Sequence, residues 1–308
     1  MIDILLATFN GGRFLREQLD SILAFLPEDA RLLIQDDGSA DETPMILAEY
    51  ENIYPDSIRI ISSLPHEKSA KGNFLSLLRE SDADYVFFCD QDDVWEQDKV
   101  QKSLHLIKNG ETQYGQDCPL LVHTDLFVVD AQLQPIAPSF WRYQNLDETP
   151  SLNRLLVQNS ITGCTVCMNR PLIQLVKMAN ASDMLMHDWW AALIATSMGH
   201  MLALNEPLIR YRQHGGNQLG ASGFDPVRDM KKAATGDVGY KQRILDTMAQ
   251  AKAFCAIYES LLPERAWHTV YRYGHLSMQR KPLRIFTLLC CGYLKKGFLR
   301  ILGQLYYI

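Results

Sequence analysis

The chain has 308 residues, 47% of them hydrophobic, and a formal net charge of −6. That is enough apolar material for a large core, which excludes a disordered chain, and a pI near 5.8 argues against bulk nucleic-acid binding, which wants a basic face. The charge is uneven: Arg280 to the last residue holds six basic side chains and no acidic one, so the first 279 residues carry about −12. Seven cysteines, mostly among apolar neighbours, read as reduced, buried thiols of a cytoplasmic protein.

In chain order, Ile2 to Ala7 reads as a first strand and, carrying Asp3, not as a signal peptide. Asn10-Gly11-Gly12 breaks it, and Phe14, Leu15, Gln18, Leu19, Ile22 and Leu23 recur at helical spacing up to Pro27. Arg31–Gln35 is a second strand and Asp36 to Asp41 an acceptor-rich turn. Glu42–Tyr50 is a helix, Ile58–Ser62 a third strand, and Asn73–Arg79 a helix after the loop 64–72. Tyr85–Cys89 is the fourth strand. Such alternation predicts an α/β fold with a doubly wound, mainly parallel sheet flanked by helices, whose ligand sits beyond the carboxyl ends of the strands. Those ends are polar here: Thr8-Phe9-Asn10, Asp36-Asp37, Ser62-Ser63 and Asp90 to Asp93.

The organising stretch is Tyr85-Val86-Phe87-Phe88-Cys89-Asp90-Gln91-Asp92-Asp93-Val94-Trp95, a strand apolar on both faces that ends in three carboxylates. Crowded carboxylates raise one another's pKa unless a cation compensates them, and oxygen ligands suit Mg²⁺ or Mn²⁺. The plainer reading makes Asp92 or Asp93 the cap of a helix starting near Val94. No G-x-G-x-x-G follows the first strand and no G-x-x-x-x-G-K-[ST] occurs, which disfavours dinucleotide dehydrogenases and P-loop enzymes. A carboxylate at Asp36 or Asp37 could instead accept from the imide N–H of uracil or thymine, although aspartate before Gly38 is also ordinary turn chemistry. Lys71 and the helix start near Asn73 could face a diphosphate.

The blocks Thr8-Phe9-Asn10-Gly11, Glu17 to Ile22, Gln35 to Thr43 and Cys89 to Trp95 resemble glycosyltransferase family 2 on a GT-A fold, and in particular its rhamnosyltransferase-like branch. The resemblance covers about residues 1–221. It implies that Thr8, Asn10 and Asp36 or Asp37 hold the base and that Lys71 approaches the phosphates. It further implies that Asp90 meets the ribose or a metal-bound water and that Asp92 ligates the divalent metal. Asp93 is an extra carboxylate beside the D-x-D pattern.

Beyond Cys118 the character becomes mixed. Leu120–Asp130 reads as a strand pair in which His123, Thr124 and Asp125 either line the sugar pocket or belong to a polar edge strand. Pro135 to Pro150 is an ordered loop bordering an acceptor cleft. Gly163 opens a small-residue strand, Thr165–Asn169, which by resemblance packs close to the transferred sugar. His187-Asp188-Trp189-Trp190 begins an apolar helix, and Asp188 in an aromatic-walled pocket suits a general base, its alternative being a first-turn helix charge. Trp189 or Trp190 would stack on a sugar ring while the other packs inward. Past the short strand Met201–Leu204, the loop Tyr211 to Asn217 offers Arg212 to a phosphate and His214 to the metal. No Q-x-x-R-W occurs, which disfavours processive polymer synthesis.

Residues 1–223 are expected to form the transferase domain and 224–308 a helical unit. The helical unit either touches a membrane surface as basic amphipathic helices or packs as core or dimer helices. The sequence therefore predicts an inverting, metal-dependent hexosyltransferase of cell-surface polysaccharide synthesis. Its donor would be a nucleoside diphosphate sugar, dTDP- or UDP-linked and by resemblance dTDP-rhamnose, and its acceptor a saccharide or lipid-linked molecule. No nucleic-acid partner is expected, and the protein would be cytoplasmic or peripheral on the inner face of the plasma membrane. The rivals are a sugar-1-phosphate nucleotidyltransferase, of which Asn10-Gly11-Gly12-Arg13 is a faint echo, and a non-catalytic membrane-associated scaffold.

Overall fold

The computed structural model describes residues 1–61, 68–215 and 238–308. Ser62, Ser63, Gly216, Asn217 and the expected boundary at 223/224 lie outside the described residues. The first ninety residues alternate as β1 (Ile2–Thr8), α1 (Gly12–Leu23), β2 (Ala30–Asp36), α2 (Thr43–Ile53), β3 (Ile58–Ile60), α3 (Ala70–Glu80) and β4 (Tyr85–Cys89). The four strands are parallel neighbours in the order β3-β2-β1-β4, with Thr8 opposite Asp36 and Leu6 opposite Cys89. Both faces of this half-sheet are dry because the strands are apolar at successive positions. Ile2, Ile4, Leu6, Phe87 and Cys89 pack toward one side, Leu5, Leu33, Val86 and Phe88 toward the other. Among the polar residues in this core is buried Asp3, held by two hydrogen bonds from Arg31 and one from the Ser81 hydroxyl.

After β4 the chain departs from the expected pattern. Val94–Trp95 is a short strand, β5, and the next helix, α4, starts only at Lys99 and runs to Tyr114. The acidic residues before Val94 therefore cap no helix there. Leu120–Asp130 is one long strand, β6, and not a pair; it lies centrally between β8 (Cys167–Asn169) and β9 (His200–Gln213), with β7 (Pro135–Ala137) on its far end. The expected short strand at Met201–Leu204 continues through Pro207, because a register shift opposite Asp125 absorbs the residue that cannot donate. That continuity carries Arg212 and Gln213 to the carboxyl ends of the parallel strands. Between β7 and β9 lie α5 (Phe140–Gln144), α6 (Leu152–Leu155), a 3-10 turn at Gly163–Thr165, α7 (Arg170–Val176) and α8 (His187–Met198).

The C-terminal helices are α9 (Val238–Ile257), α10 (Glu264–Gly274), α11 (Lys281–Cys291) and α12 (Phe298–Tyr307). Their buried residues, among them Met248, Phe254, Tyr258, Tyr273 and Tyr293, share one apolar core with α8 and the sheet. The junction is specific: the Trp190 indole donates to the Tyr258 hydroxyl at 3.0 Å, which donates to the Leu175 carbonyl at 2.8 Å. Tyr258→Phe leaves the buried indole N–H unsatisfied, so it is expected to lower stability by about 1–3 kcal/mol in urea unfolding, with one transition reported by both near-ultraviolet and far-ultraviolet signals.

Candidate active site

Three loops at the strand ends are tied into one surface by backbone bonds. Asn10 sits at φ 49° and cross-links to the β2–α2 turn: its N–H donates to the Ser39 hydroxyl, and its side-chain oxygen accepts from the Ala40 N–H. Gly11 and Gly12 donate to Thr43 Oγ1 and Asp41 Oδ2. From the β4 side, Gln91 clamps the Phe9 backbone with both amide atoms, at 2.8 and 3.0 Å. A Cβ at Gly11 would lie 2.2 Å from Gln91 Oε1, so only glycine allows that clamp.

Within this frame the residues expected at the base divide. The Asp36 carboxylate is engaged by the Thr8 hydroxyl at 2.9 Å, the Ser39 hydroxyl and the N–H groups of Gly38 and Ser39. It builds the turn, which makes Asp37, half-buried beside it, the better candidate of the two for a base. Lys71 lies one turn earlier than expected, inside α3, whose cap is Ser69; its Nζ donates to the Met184 carbonyl at 3.0 Å, on the approach to α8.

The carboxylates after β4 converge. Asp90 is raised to about 7, first by burial, then by the charges of Asp92 and Asp188. Asp93 is fully buried and pushed well above the usual carboxylate range by burial and by Asp92 and Asp90. Its Oδ1 accepts from the Arg212 N–H at 3.0 Å, while Oδ2 has no hydrogen-bond partner. Ligand atoms of Asp90, Asp93 and Cys164 lie within 4.8 Å of one another. Asp92 Oδ2 meets His214 Nε2 at 2.7 Å.

Asp188 reaches the same place from α8. It is 6% exposed, and burial raises it to about 7 against hydrogen bonds from the Trp189 and Gly163 backbones and the Asn159 amide. Gly163 is where the 3-10 turn passes closest: a Cβ there would stand 2.9 Å from His187 Nε2 and 3.7 Å from Asp188 Oδ2. Trp189 donates to the Leu155 carbonyl and, with Asn159, lines a cavity of about 580 Å³ closed by Arg243, Lys295 and Arg300. Trp190 is the inward partner of the pair, fully buried.

Two expected substrate contacts have other work. Asp125 is buried in β6, and its Oδ1 accepts from the N–H groups of Leu126, Phe140 and Trp141, holding the start of α5. His123 and Thr124 beside it are also fully buried, so this strand lines no sugar pocket. Arg212 is 1% exposed; its guanidinium donates to the Asp92 carbonyl, the Ala131 carbonyl and Glu17 Oε2, and lies 4.5 Å from the centre of the Phe14 ring. It fixes the acidic loop and the end of β9.

Sequence reading missed Lys99, the cation beneath the cluster. It is fully buried without a hydrogen-bond partner, held 4.2 Å from the Trp95 ring and 5.2 Å from Phe87, and lowered to about 8 by burial, against which Cys164, Cys167, Cys89 and Asp93 act. It also missed His187, stacked on Phe74 and lowered to about 3 by burial, so neutral. Cys164 and Cys167 stand in a C-x-x-C spacing, yet burial raises both thiols, the opposite of a redox-active pair. A helical stripe through Lys99 and the flanking Trp95 gives no local signal of burial.

A divalent cation fits the donor chemistry. Asp90, Asp92 and Asp93 offer oxygens, the unpartnered Asp93 Oδ2 among them, and His214 adds a nitrogen at Asp92. Cys164, kept a thiol by its burial, is a poor ligand for a hard ion.

A family model described as Glycosyl transferase family 2 matches residues 3–148. The dTDP-rhamnosyl transferase RfbG of Shigella flexneri is 30% identical over 229 residues, 70% of this chain and 74% of that protein. The chain belongs to glycosyl transferase family 2. It is a glycosyltransferase of the GT-A fold. The putative teichuronic acid biosynthesis glycosyltransferase TuaG of Bacillus subtilis is 24% identical over 69% of this chain and 79% of that one. The fold is shared with S. aureus TarS, solved with UDP-GlcNAc, at a TM-score of 0.56 and 11% identity over 99% of this chain and 90% of that one.

Because Asp90, Asp93 and Asp188 are raised in the folded state, the folded chain holds more protons than the unfolded one between about pH 4 and 7, so metal-free stability falls as pH rises through that window. Mn²⁺ binds the ionised carboxylates, so its stabilisation is expected to be larger at about pH 8 than at about pH 5. Thermal melts at a hundredfold excess over Kd should show an increase of about 4 °C at the higher pH. Asp93→Asn should raise the metal-free Tm at that pH while shrinking the Mn²⁺ shift.

Proposed function

We propose that this family 2 enzyme is an inverting, divalent-metal-dependent transferase. It would move rhamnose from dTDP-rhamnose onto a saccharide or lipid-linked acceptor in cell-surface polysaccharide synthesis. The observation that carries the reading is convergence: a buried carboxylate with a pKa near 7, Asp188, reaches from α8 to the acidic loop behind β4, where its charge is felt at Asp90. The dTDP-rhamnose donor follows from the likeness to RfbG, and the polysaccharide context from that to TuaG. Family membership counts against the nucleotidyltransferase reading, and the scaffold reading leaves the raised carboxylates without a use. The enzyme would work in the cytoplasm, with its C-terminal helices in peripheral contact with the inner face of the plasma membrane.

The roles follow from position. Thr8, Asn10 and Asp37 border the base, Asp37 accepting from an imide N–H, and Lys71 at the start of α3 lies toward the phosphates. Asp90, Asp92 and His214, with Asp93 behind them, would hold the cation. Bound there, Mg²⁺ or Mn²⁺ supplies positive charge against the diphosphate. Asp188 takes the proton of the acceptor hydroxyl. The acceptor oxygen forms the new bond to the anomeric carbon while the bond from that carbon to the diphosphate oxygen breaks, and the electron pair leaves on the diphosphate. Asn159 and the Gly163 turn orient the Asp188 carboxylate, and Trp189 walls the adjoining cavity, where a saccharide acceptor would lie.

Asp188→Asn keeps the size of the side chain and removes its basicity. It is expected to lower transfer about 10²–10⁴-fold with donor binding retained, measured by product formation and by calorimetry with dTDP. Full activity in that variant rejects the base. In the unmodified enzyme the base must be ionised, so kcat/KM should climb about tenfold per pH unit below about 7 and level off above it.

A further inference from the structure

The last two helices carry an apolar surface that the transfer chemistry does not use. Leu283, Phe286 and Leu289 recur every three residues on α11, and Phe298, Leu302 and Tyr306 every four on α12. All six are exposed, Phe298 at 73%, Tyr306 at 69% and Phe286 at 63%. The helices form a hairpin through the turn 292–297, and the Lys281 ammonium at the start of α11 donates to the Tyr306 carbonyl at the end of α12. The two helices therefore run in opposite directions. Scattered exposed apolar side chains are ordinary, but six of them on one helical hairpin are a concentration that scatter does not explain.

We propose that this face docks on an anionic lipid bilayer. The inference deepens the peripheral contact in the reading above by naming the surface and the lipid charge. Binding to vesicles needs no donor and no turnover, so the two can fail separately. Charge selects the occupant. From Arg280 onward every charged side chain is basic, while the rest of the chain is strongly acidic. Lys295 and Arg300 line the inner cavity, so Arg280 and Lys281 are the exposed charges by which an anionic surface attracts this hairpin. A second copy of the chain is a poorer fit, because a two-fold contact through this hairpin would bring basic ends against basic ends in either orientation. Lys296 is paired with Asp147 and Lys281 with the Tyr306 carbonyl, yet Arg280 and Lys281 both lie exposed at the open end of the hairpin, where their charges sit beside the apolar side chains at headgroup level. No described helix is long and apolar enough to cross a membrane, so the contact is lateral.

Docking also orients the site. The outer side of α12 carries Phe298, Leu302 and Tyr306, and its inner side supplies Leu299, Arg300 and Gly303 to the cavity that Trp189 and Asn159 border. One helix, about 10 Å across, would separate the bilayer from the cavity beside Asp188. A lipid-linked saccharide could then enter from the surface on which the enzyme rests.

The test is co-sedimentation of the full chain with phosphatidylcholine vesicles made with and without phosphatidylglycerol. Binding about tenfold or more tighter to the anionic vesicles, weakened by added salt, is expected. Phe286→Glu with Phe298→Glu should abolish that binding at an unchanged Tm, both side chains being exposed. Arg280→Glu with Lys281→Glu should lose the preference for phosphatidylglycerol even if the first variant fails to fold. Equal binding to both vesicle types, or binding by the phenylalanine variant like that of the parent, would overturn the proposal. So would a parent chain that is dimeric in solution, ignores vesicles and becomes monomeric in that variant.

Discussion

The organisation of the molecule depends on carboxylates held too close together in too little water. β4 is apolar on both faces, so the sheet buries it, and the residues that follow are carried to the rim whether or not their charges are comfortable. Burial then raises Asp90, Asp93 and Asp188, and each adds to the discomfort of its neighbours. Two like charges about 4 Å apart repel by about 4 kcal/mol in a partly screened protein environment, and such an arrangement survives folding only by partial protonation or with a nearby cation. The chain provides cations itself, among them Lys99, caged by Trp95 and Phe87 beneath the cluster, and Arg212 on the acidic loop. A divalent ion, as proposed above, would supply what Lys99 cannot, a doubly charged centre.

Rigidity around this cluster comes from ordinary side chains doing unglamorous work. Gln91 clamps the Phe9 backbone, Asn10 stitches two turns, Asp36 is consumed by four donors, and Arg212 bolts the acidic loop to Glu17 and to the end of β9. Backbone and guanidinium contacts hold the acidic loop in place, with Asp92 paired to His214 at its rim. The C-terminal helices extend the same logic outward. Trp190 locks α8 to Tyr258, and Trp189, next in sequence, faces the cavity, so the helix that positions Asp188 is anchored from behind and open in front.

Much of this was legible in the sequence. Apolar runs ending in polar clusters located the first four strands, and the spacing of Asp90, Asp92 and Asp93 after a buried strand marked the acidic loop that the structure places at their ends. Asp188 stood out because a carboxylate beside two tryptophans is an unusual start to an apolar helix, and the structure shows it buried at the start of α8. What failed did so for long-range reasons. Arg212 and Asp125 looked like ligand contacts because loops and edges usually expose such residues, but β9 runs on through Pro207 and β6 is central, and both facts depend on partners about eighty residues away. Lys99 was invisible because nothing in its neighbours along the chain announces that a lysine will be wholly buried. Val94 and Trp95 pair with β9 across more than a hundred residues, so no local pattern could distinguish that strand from a helix start.

The account stands on the acidic rim gripping a diphosphate through a divalent ion, and calorimetric titration of dTDP into the protein tests this most directly. With Mn²⁺ present, dTDP should bind at least tenfold tighter than in chelator, and Asp90→Asn combined with Asp92→Asn should erase the difference. Equal affinity with and without the ion, unchanged by that double substitution, would contradict it.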